Sequence, residues 1–306
     1  MFLRPFNLMK NLLSYIKRES NQENIAAYTM LLPALVIIGL FLLFPAFYSL
    51  YLSFHEWKLI IPQKPFVGFQ NYKALFSDGL FWRAMWNTVY YVIGVVPTQT
   101  VIALFLAMVA NRAIKGKKFF KIAYFLPSVT SSVVISIIFL HLYAKRGLIN
   151  YALSLVGIQG PNWLEDPTFS LEAIMGMNVW TTAGYFMVIF LAGLQNIPDT
   201  YYEAASVDGA GPREKFFKIT LPLLKPQIYF VVVMGMIGCF QVFDQVYVMT
   251  SGGPANSTTT IVYYIYKYAF EYFQMGYAAA AAFILFVIIF TATLIQRRYL
   301  ETDISY

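Results

Sequence analysis

The chain has 306 residues, of which 59% are hydrophobic and only 12% are charged, with 28 Phe and 23 Tyr. So few polar side chains could not cover a soluble globule of this size, so the composition excludes a water-soluble domain and implies an integral membrane protein. The formal net charge of +7 needs no nucleic acid partner, because basic loops beside an anionic lipid surface account for it.

Crossing about 30 Å of hydrocarbon takes about 20 apolar residues in a helix, and six runs qualify: 30–54, 84–110, 119–143, 172–194, 227–249 and 277–295. None shows the alternating dyad of a barrel strand, so the expected fold is an all-α membrane bundle. Before the first run stands a basic segment, 1–29, with Arg4, Lys10, Lys17 and Arg18. That run is too long for a signal-peptide core and has no small-residue cleavage site after it, so it reads as an uncleaved span. Pro33, Pro45, Pro97 and Pro127 lie inside spans, where kinks shape internal cavities.

The loop between spans two and three carries Arg112, Lys115, Lys117, Lys118 and Lys121. The segment 195–226 carries Arg213, Lys215, Lys218 and Lys225, and the end of the last span carries Arg297 and Arg298. Together with the N-terminal group these are most of the 22 Lys and Arg, all on one side. The opposite loops include Lys58, Lys64, Lys73 and Arg83. Both termini, with a short tail at 299–306, are therefore expected in the cytoplasm, flanking a permeating unit at 30–298. The outer loops hold GLINYALSLVGIQGPNWLEDPTFS and SGGPANSTTT followed by YYIYKYAFEYF. Their aromatic rings suit headgroup anchoring or the docking of an external protein. Cys239 is the sole cysteine, so no intrachain disulfide or thiolate cluster can form.

The stretch YYEAASVDGAGPREKFFKITLPLLKP between spans four and five is unusually polar. Glu203, Ala204 and Ala205 favour a helix, Gly209 and Gly211-Pro212 break it, and a second amphipathic helix can run from Arg213 to Pro222. By periodicity alone this could be an interfacial loop dipping Phe216, Phe217 and Ile219 into the bilayer.

The order of residues is more specific. Glu203-Ala204-Ala205, three residues, Gly209, nine residues, Ile219, one residue, Leu221-Pro222 resembles the EAA loop of ABC-importer permeases, and lies before the penultimate span as it does there. FVGFQNY (66–72), Asn87-Thr88, Phe125-Leu126-Pro127, NWLEDP, LQNIPDTYYEAA and Thr250-Ser251-Gly252-Gly253-Pro254 extend the likeness over most of the chain beyond span one. The chain is similar to the carbohydrate-uptake, maltose-type and glycerol-phosphate-type members. The resemblance implies the type I importer permease fold, six spans with a cytoplasmic coupling helix, in a bacterial plasma (inner) membrane. It also implies a second homologous permease, a cytoplasmic ATPase dimer holding ATP and Mg, an external solute-binding protein and a sugar or oligosaccharide as solute. Glu203, Ala204, Ala205, Gly209, Leu221 and Pro222 would then couple to the ATPase. In agreement, the sequence has no GxxxxGK[ST] phosphate loop, so the chain is expected to carry no cofactor and to be no enzyme itself.

For the solute, polar groups that share a face within a span are the candidates. Asn178, Thr182 and Tyr185 recur at helical spacing on span four, Tyr124 and Ser128 on span three, and Gln241 and Asp244 on span five. Amide, hydroxyl and aromatic groups suit a sugar, which has hydroxyl edges and an apolar ring face, and the maltose-type members hold sugar on these middle spans. Ser128 and Thr182 could instead bond their own helix backbone, and the tyrosines could sit at interfaces. Asp244 is the one carboxylate well inside an apolar run. It must face the pathway or a partner, or else lie hydrated at the outer end of span five. No span interior carries Lys or Arg, which favours a neutral sugar over glycerol phosphate. A secondary carrier or channel would need an ion relay or inverted repeat. A membrane enzyme would need clustered acids and histidines, whereas His55 and His141 stand apart.

Overall fold

The computed structural model describes residues 19–58, 60, 63–111 and 116–300. Arg4, Lys10, Lys17, Arg18, Arg112 and Lys115, on which part of the orientation argument rests, lie outside the described residues, as does the tail after 300. Among the described residues, four helices are long and apolar enough to span a membrane: Ala26–Ser53, Gly79–Asn111, Ser170–Gln195 and Met275–Tyr299. Two bent pairs supply the other crossings. In chain order the helices are α1 (Glu19–Ile38), α2 (Phe44–Ser53), α3 (Gln70–Ser77), α4 (Gly79–Asn111), α5 (Lys117–Val129), α6 (Ser132–Leu142), α7 (Leu148–Leu155) and α8 (Ser170–Gln195). They continue with α9 (Asp199–Val207), α10 (Pro212–Lys215), α11 (Leu221–Leu223), α12 (Lys225–Phe240), α13 (Asp244–Met249), α14 (Ile261–Tyr266) and α15 (Met275–Leu300). Single π-helical turns link α1 to α2, α10 to α11, and follow α14.

Two of the six expected spans are not continuous. The run 119–143 breaks at Thr130-Ser131, and its halves α5 and α6 meet at 101°. Beside the break, Ser128 Oγ donates to Phe125 O at 2.7 Å and Thr130 Oγ1 to Leu126 O at 3.0 Å. Thr130 thereby covers a carbonyl of the last turn of α5. The run 227–249 also fails to continue: α12 ends at Phe240, and Phe243, at φ −139° and ψ −60°, turns the chain into α13. No proline or glycine stands at 241–243. The cause is tertiary, since the buried Thr260 hydroxyl takes the Val242 carbonyl at 3.1 Å. At its other end α12 bends by 64° from the segment Pro212–Leu223, so this arm and α12 form one bent crossing.

α4 packs along α8 over most of its length, with α5 laid on α8, α12 against α4 and α15, and α15 against α2 and α3. One buried cluster surrounds Tyr91, Val95, Met177, Met236, Phe240 and Tyr264, and a second surrounds Ala103, Ala183, Phe190, Leu224 and Val231. The loops at the end of the bundle away from the arm at 195–226 are pinned by the Asn and Thr side chains of the sequence motifs. Asn71 Nδ2 donates to Ser53 O and His55 O, closing the end of the first span onto α3. Asn87 Nδ2 donates to Asn256 O and Thr259 O, and Thr88 Oγ1 accepts the Ile261 N–H at 2.8 Å. The start of α4 thus holds the Ser-Gly-Gly-Pro turn in place. By contrast, apolar side chains of α1 and of the π-helical turn after it are exposed, Met30 by 82% and Phe41 by 78%.

Candidate functional site

Two regions carry the candidate residues: an arm projecting from the bundle and a cavity inside it. The arm begins where Pro198 ends α8's trailing turn and α9 starts. α9 closes in a left-handed cap: Gly209 sits at φ +78° with Ala210 N–H on Ala205 O and Gly209 N–H on Ser206 O, the paired bonds of a Schellman motif. A Cβ on Gly209 would meet no atom within 4 Å, so glycine is required by the backbone conformation and not by space. Gly211 N–H then bonds Glu214 Oε2 at 3.1 Å, opening α10. Glu203 and Ala204 are exposed, Ala205 is half-buried, and Val207 is 89% exposed at the tip. On the inner face the Tyr202 hydroxyl meets Thr220 Oγ1 at 2.9 Å. Leu221 and Pro222 are half-buried at the 64° bend into α12, with Leu224 fully buried behind them. The arm is therefore stiff, exposed along α9 and anchored directly to the base of α12.

The far end of α12 opens onto the cavity, where its break meets that of the α5/α6 crossing. Ser132, the first residue of α6, donates from Oγ to Asp244 Oδ2 at 2.6 Å, and Asp244 is the first residue of α13. Asn178, Gln241, Asp244 and Ser132 line the same cavity of about 200 Å³. Irregular backbone at membrane depth is tolerated where protein or water covers it. Asn178 is buried at 8% exposure, whereas Gln241 and Asp244 are exposed. The Asp244 environment is thus the junction of two broken helices and not simply a helix end.

The remaining candidates lie apart. Thr182 is one turn beyond Asn178, with its hydroxyl 2.8 Å from the Asn178 carbonyl and 2.7 Å from Gln99 Oε1. Ser128 spends its hydroxyl on its own helix. Tyr124 opens onto a separate, largely apolar groove of about 460 Å³ beside Thr98 and Trp180. Tyr185 is exposed and edge-on to Phe186, about 10 Å along α8 from Asn178.

Two groups escaped the sequence reading. Ser132 was hidden in the hydroxyl-rich run Ser128 to Ser132, and only the break shows which hydroxyl turns to the cavity. Gln99, 1% exposed in mid-span, bonds Thr182, while its Nε2 lies against Gly235 without a hydrogen-bond partner among the described residues. Its signal was an amide in the middle of the apolar run of span two, 12 residues beyond Asn87. Gln99, Thr182 and Gly235 form the seam between the two buried clusters. Just before α4, Asp78 Oδ2 accepts from Tyr264 at 2.6 Å, Tyr268 at 3.1 Å and Tyr277 at 3.3 Å. Burial pushes the Asp78 carboxyl up, but the hydrogen bonds from Tyr264, the Leu80 N–H, Tyr268 and Tyr277 outweigh it and hold the group below the usual carboxylate value.

Broken spans around a polar cavity, with a stiff arm leading from one of them to the bundle surface, define a multi-pass transport protein. Residues 74–304 match the family described as binding-protein-dependent transport system inner membrane component, and the chain belongs to that family. It is 39% identical over 283 residues, 91% of each chain, to the probable ABC transporter permease protein YesP of Bacillus subtilis. It is 34% identical over 275 residues to the trehalose/maltose transport system permease protein MalF of Thermococcus litoralis, spanning 88% of this chain and 91% of that one. A solved bacterial ABC transporter, involved in import of the acidic polysaccharide alginate, superposes with a TM-score of 0.79 at 26% identity, over 95% of this chain and all of that one. The protein is thus a transport permease component with the importer permease fold.

Proposed function

We propose that this chain is one half of the translocation pathway of an ATP-driven importer for a sugar or oligosaccharide, with both termini and the arm 195–226 in the cytoplasm. A second homologous permease completes the pathway, an ATPase dimer receives the arm and holds the ATP and Mg, and an external binding protein delivers the solute. The observation that carries this reading is the link from arm to cavity: α9, a capped, exposed helix, is tied by Tyr202–Thr220 to the segment Pro212–Leu223, which forms one bent crossing with α12, whose far end meets the polar cavity. Force applied by the ATPase to Glu203, Ala204 and Ala205 passes through the Tyr202–Thr220 contact and the Leu221-Pro222 bend into α12. There it moves Gln241 and Asp244 relative to Ser132 and Asn178. Amide and hydroxyl groups at that junction can exchange hydrogen bonds with solute hydroxyls and give them up when the junction shifts. The relatives that transport trehalose or maltose support a saccharide as the solute.

The test is reconstitution of the chain with its partner subunits in proteoliposomes, scored for ATP-dependent accumulation of a panel of labelled oligosaccharides and non-carbohydrate solutes presented by the cognate binding protein. Accumulation of a saccharide supports the assignment. Accumulation only of non-carbohydrate solutes refutes it.

A further inference from the structure

We propose that Asp244 makes the cavity a charge filter, so that the pathway admits neutral or cationic saccharides and discriminates against uronate-, sulfonate- or phosphate-bearing ones. The inference rests on the cavity being the solute pathway and adds the sign of its field. The residues lining it are Ser132, Asn178, Gly238 and 241–245, among which Asp244 is the one charged side chain. Its Oδ2 is taken by Ser132 at 2.6 Å, and Oδ1 accepts no hydrogen bond among the described residues. The ion pairs among those residues are Lys58–Glu56 and Lys218–Glu214, so Asp244 has no cation to neutralise it. The side chain is exposed to the cavity. An unpaired carboxylate at membrane depth is tolerated when it faces water or a polar solute. There it offers an acceptor to donating hydroxyls and repels an anion in a medium of reduced dielectric. The fold does not set this sign, since the solved transporter that shares it imports an acidic polysaccharide. A residue must set it, and in this chain that residue is Asp244.

The field can be read without knowing the solute. In the assembled complex, with the sole cysteine, Cys239, replaced by Ala, a reporter thiol is placed at Gln241→Cys or Gln245→Cys. Its reaction rates with a cationic and an anionic methanethiosulfonate reagent of similar size are then compared. The cation-to-anion rate ratio should fall on the order of tenfold or more in Asp244→Asn, persist in Asp244→Glu, and shrink with added salt in the parent protein. Asp244→Ser serves if Asp244→Asn does not assemble. Reactive thiols whose ratio is the same in all variants would overturn the charge filter, as when a partner subunit supplies a neutralising cation, while leaving the solute pathway intact. Thiols unreactive at both positions would overturn the pathway as well.

Discussion

At Gly209 and at Asp78 a single atom group decides a local structure. At φ +78°, a side chain at position 209 forces an L-residue into the left-handed region at about 1–2 kcal/mol. Gly209→Ala should therefore weaken the α9 cap yet permit transport. Gly209→Pro cannot adopt a positive φ and should uncouple uptake from ATP hydrolysis while leaving the protein in the membrane. Parallel uptake and ATPase measurements on purified complexes check this, and normal uptake by Gly209→Pro would remove the arm from the coupling route. Glu203→Lys, which alters the exposed face of α9 without disturbing its cap, should give the same uncoupling. Asp78 is held below the ordinary carboxylate value of about 4 by its tyrosine donors. A group whose folded-state pKa is depressed contributes stability above its unfolded pKa and loses it as pH falls through the folded value. The thermal midpoint of the complex should thus drop below pH 4 in the parent and show a smaller acid-side slope in Asp78→Asn. Equal slopes would remove Asp78 from the acid response.

At the scale of elements, the breaks in the third and fifth crossings were the least legible features. Their hydropathy reads as unbroken spans because the residues at the breaks are few. Only Thr130-Ser131 separates α5 from α6, and at 241–243 the contact with the turned backbone comes from Thr260, which lies 18 residues from Val242 in sequence. The arm, in contrast, was legible because its signals are local: helix formers at 203–205, glycine at the positive φ, and proline at the bend. The two breaks are joined by Ser132–Asp244. Ser132→Ala and Asp244→Leu should therefore fail to add in a double-mutant cycle on complex stability, since either alone removes the shared bond. Asp244→Leu should also impair uptake more than Asp244→Asn, which keeps the shape and a hydrogen-bonding group. Additive effects in the cycle would separate α6 from α13. α5 meets α8 through Gly184, where a Cβ would collide with the Tyr124 carbonyl oxygen. Gly184→Val should accordingly lower the yield of assembled protein, scored by size-exclusion chromatography against wild type.

For the whole molecule, composition and loop motifs were enough to indicate a six-span permease, because apolar length and turn residues are encoded locally. The candidate pathway residues were legible only in part. Helical spacing aligned Asn178 with Thr182 and Tyr185, yet in the structure Asn178 shares the cavity with Gln241, Asp244 and Ser132 while Tyr185 does not. Spacing reports a face of one helix; which faces converge depends on how the broken crossings fold back on each other. On the proposed route solute passes this convergence while the arm takes its force from ATP. The most direct measurement compares Asn178→Leu with wild type in proteoliposomes, recording saccharide uptake and binding-protein-stimulated ATP hydrolysis together. The account predicts uptake lost or reduced at least about tenfold, equivalent to about 1.4 kcal/mol, with stimulated hydrolysis retained. Uptake at the wild-type rate, with the variant fully assembled, would contradict it.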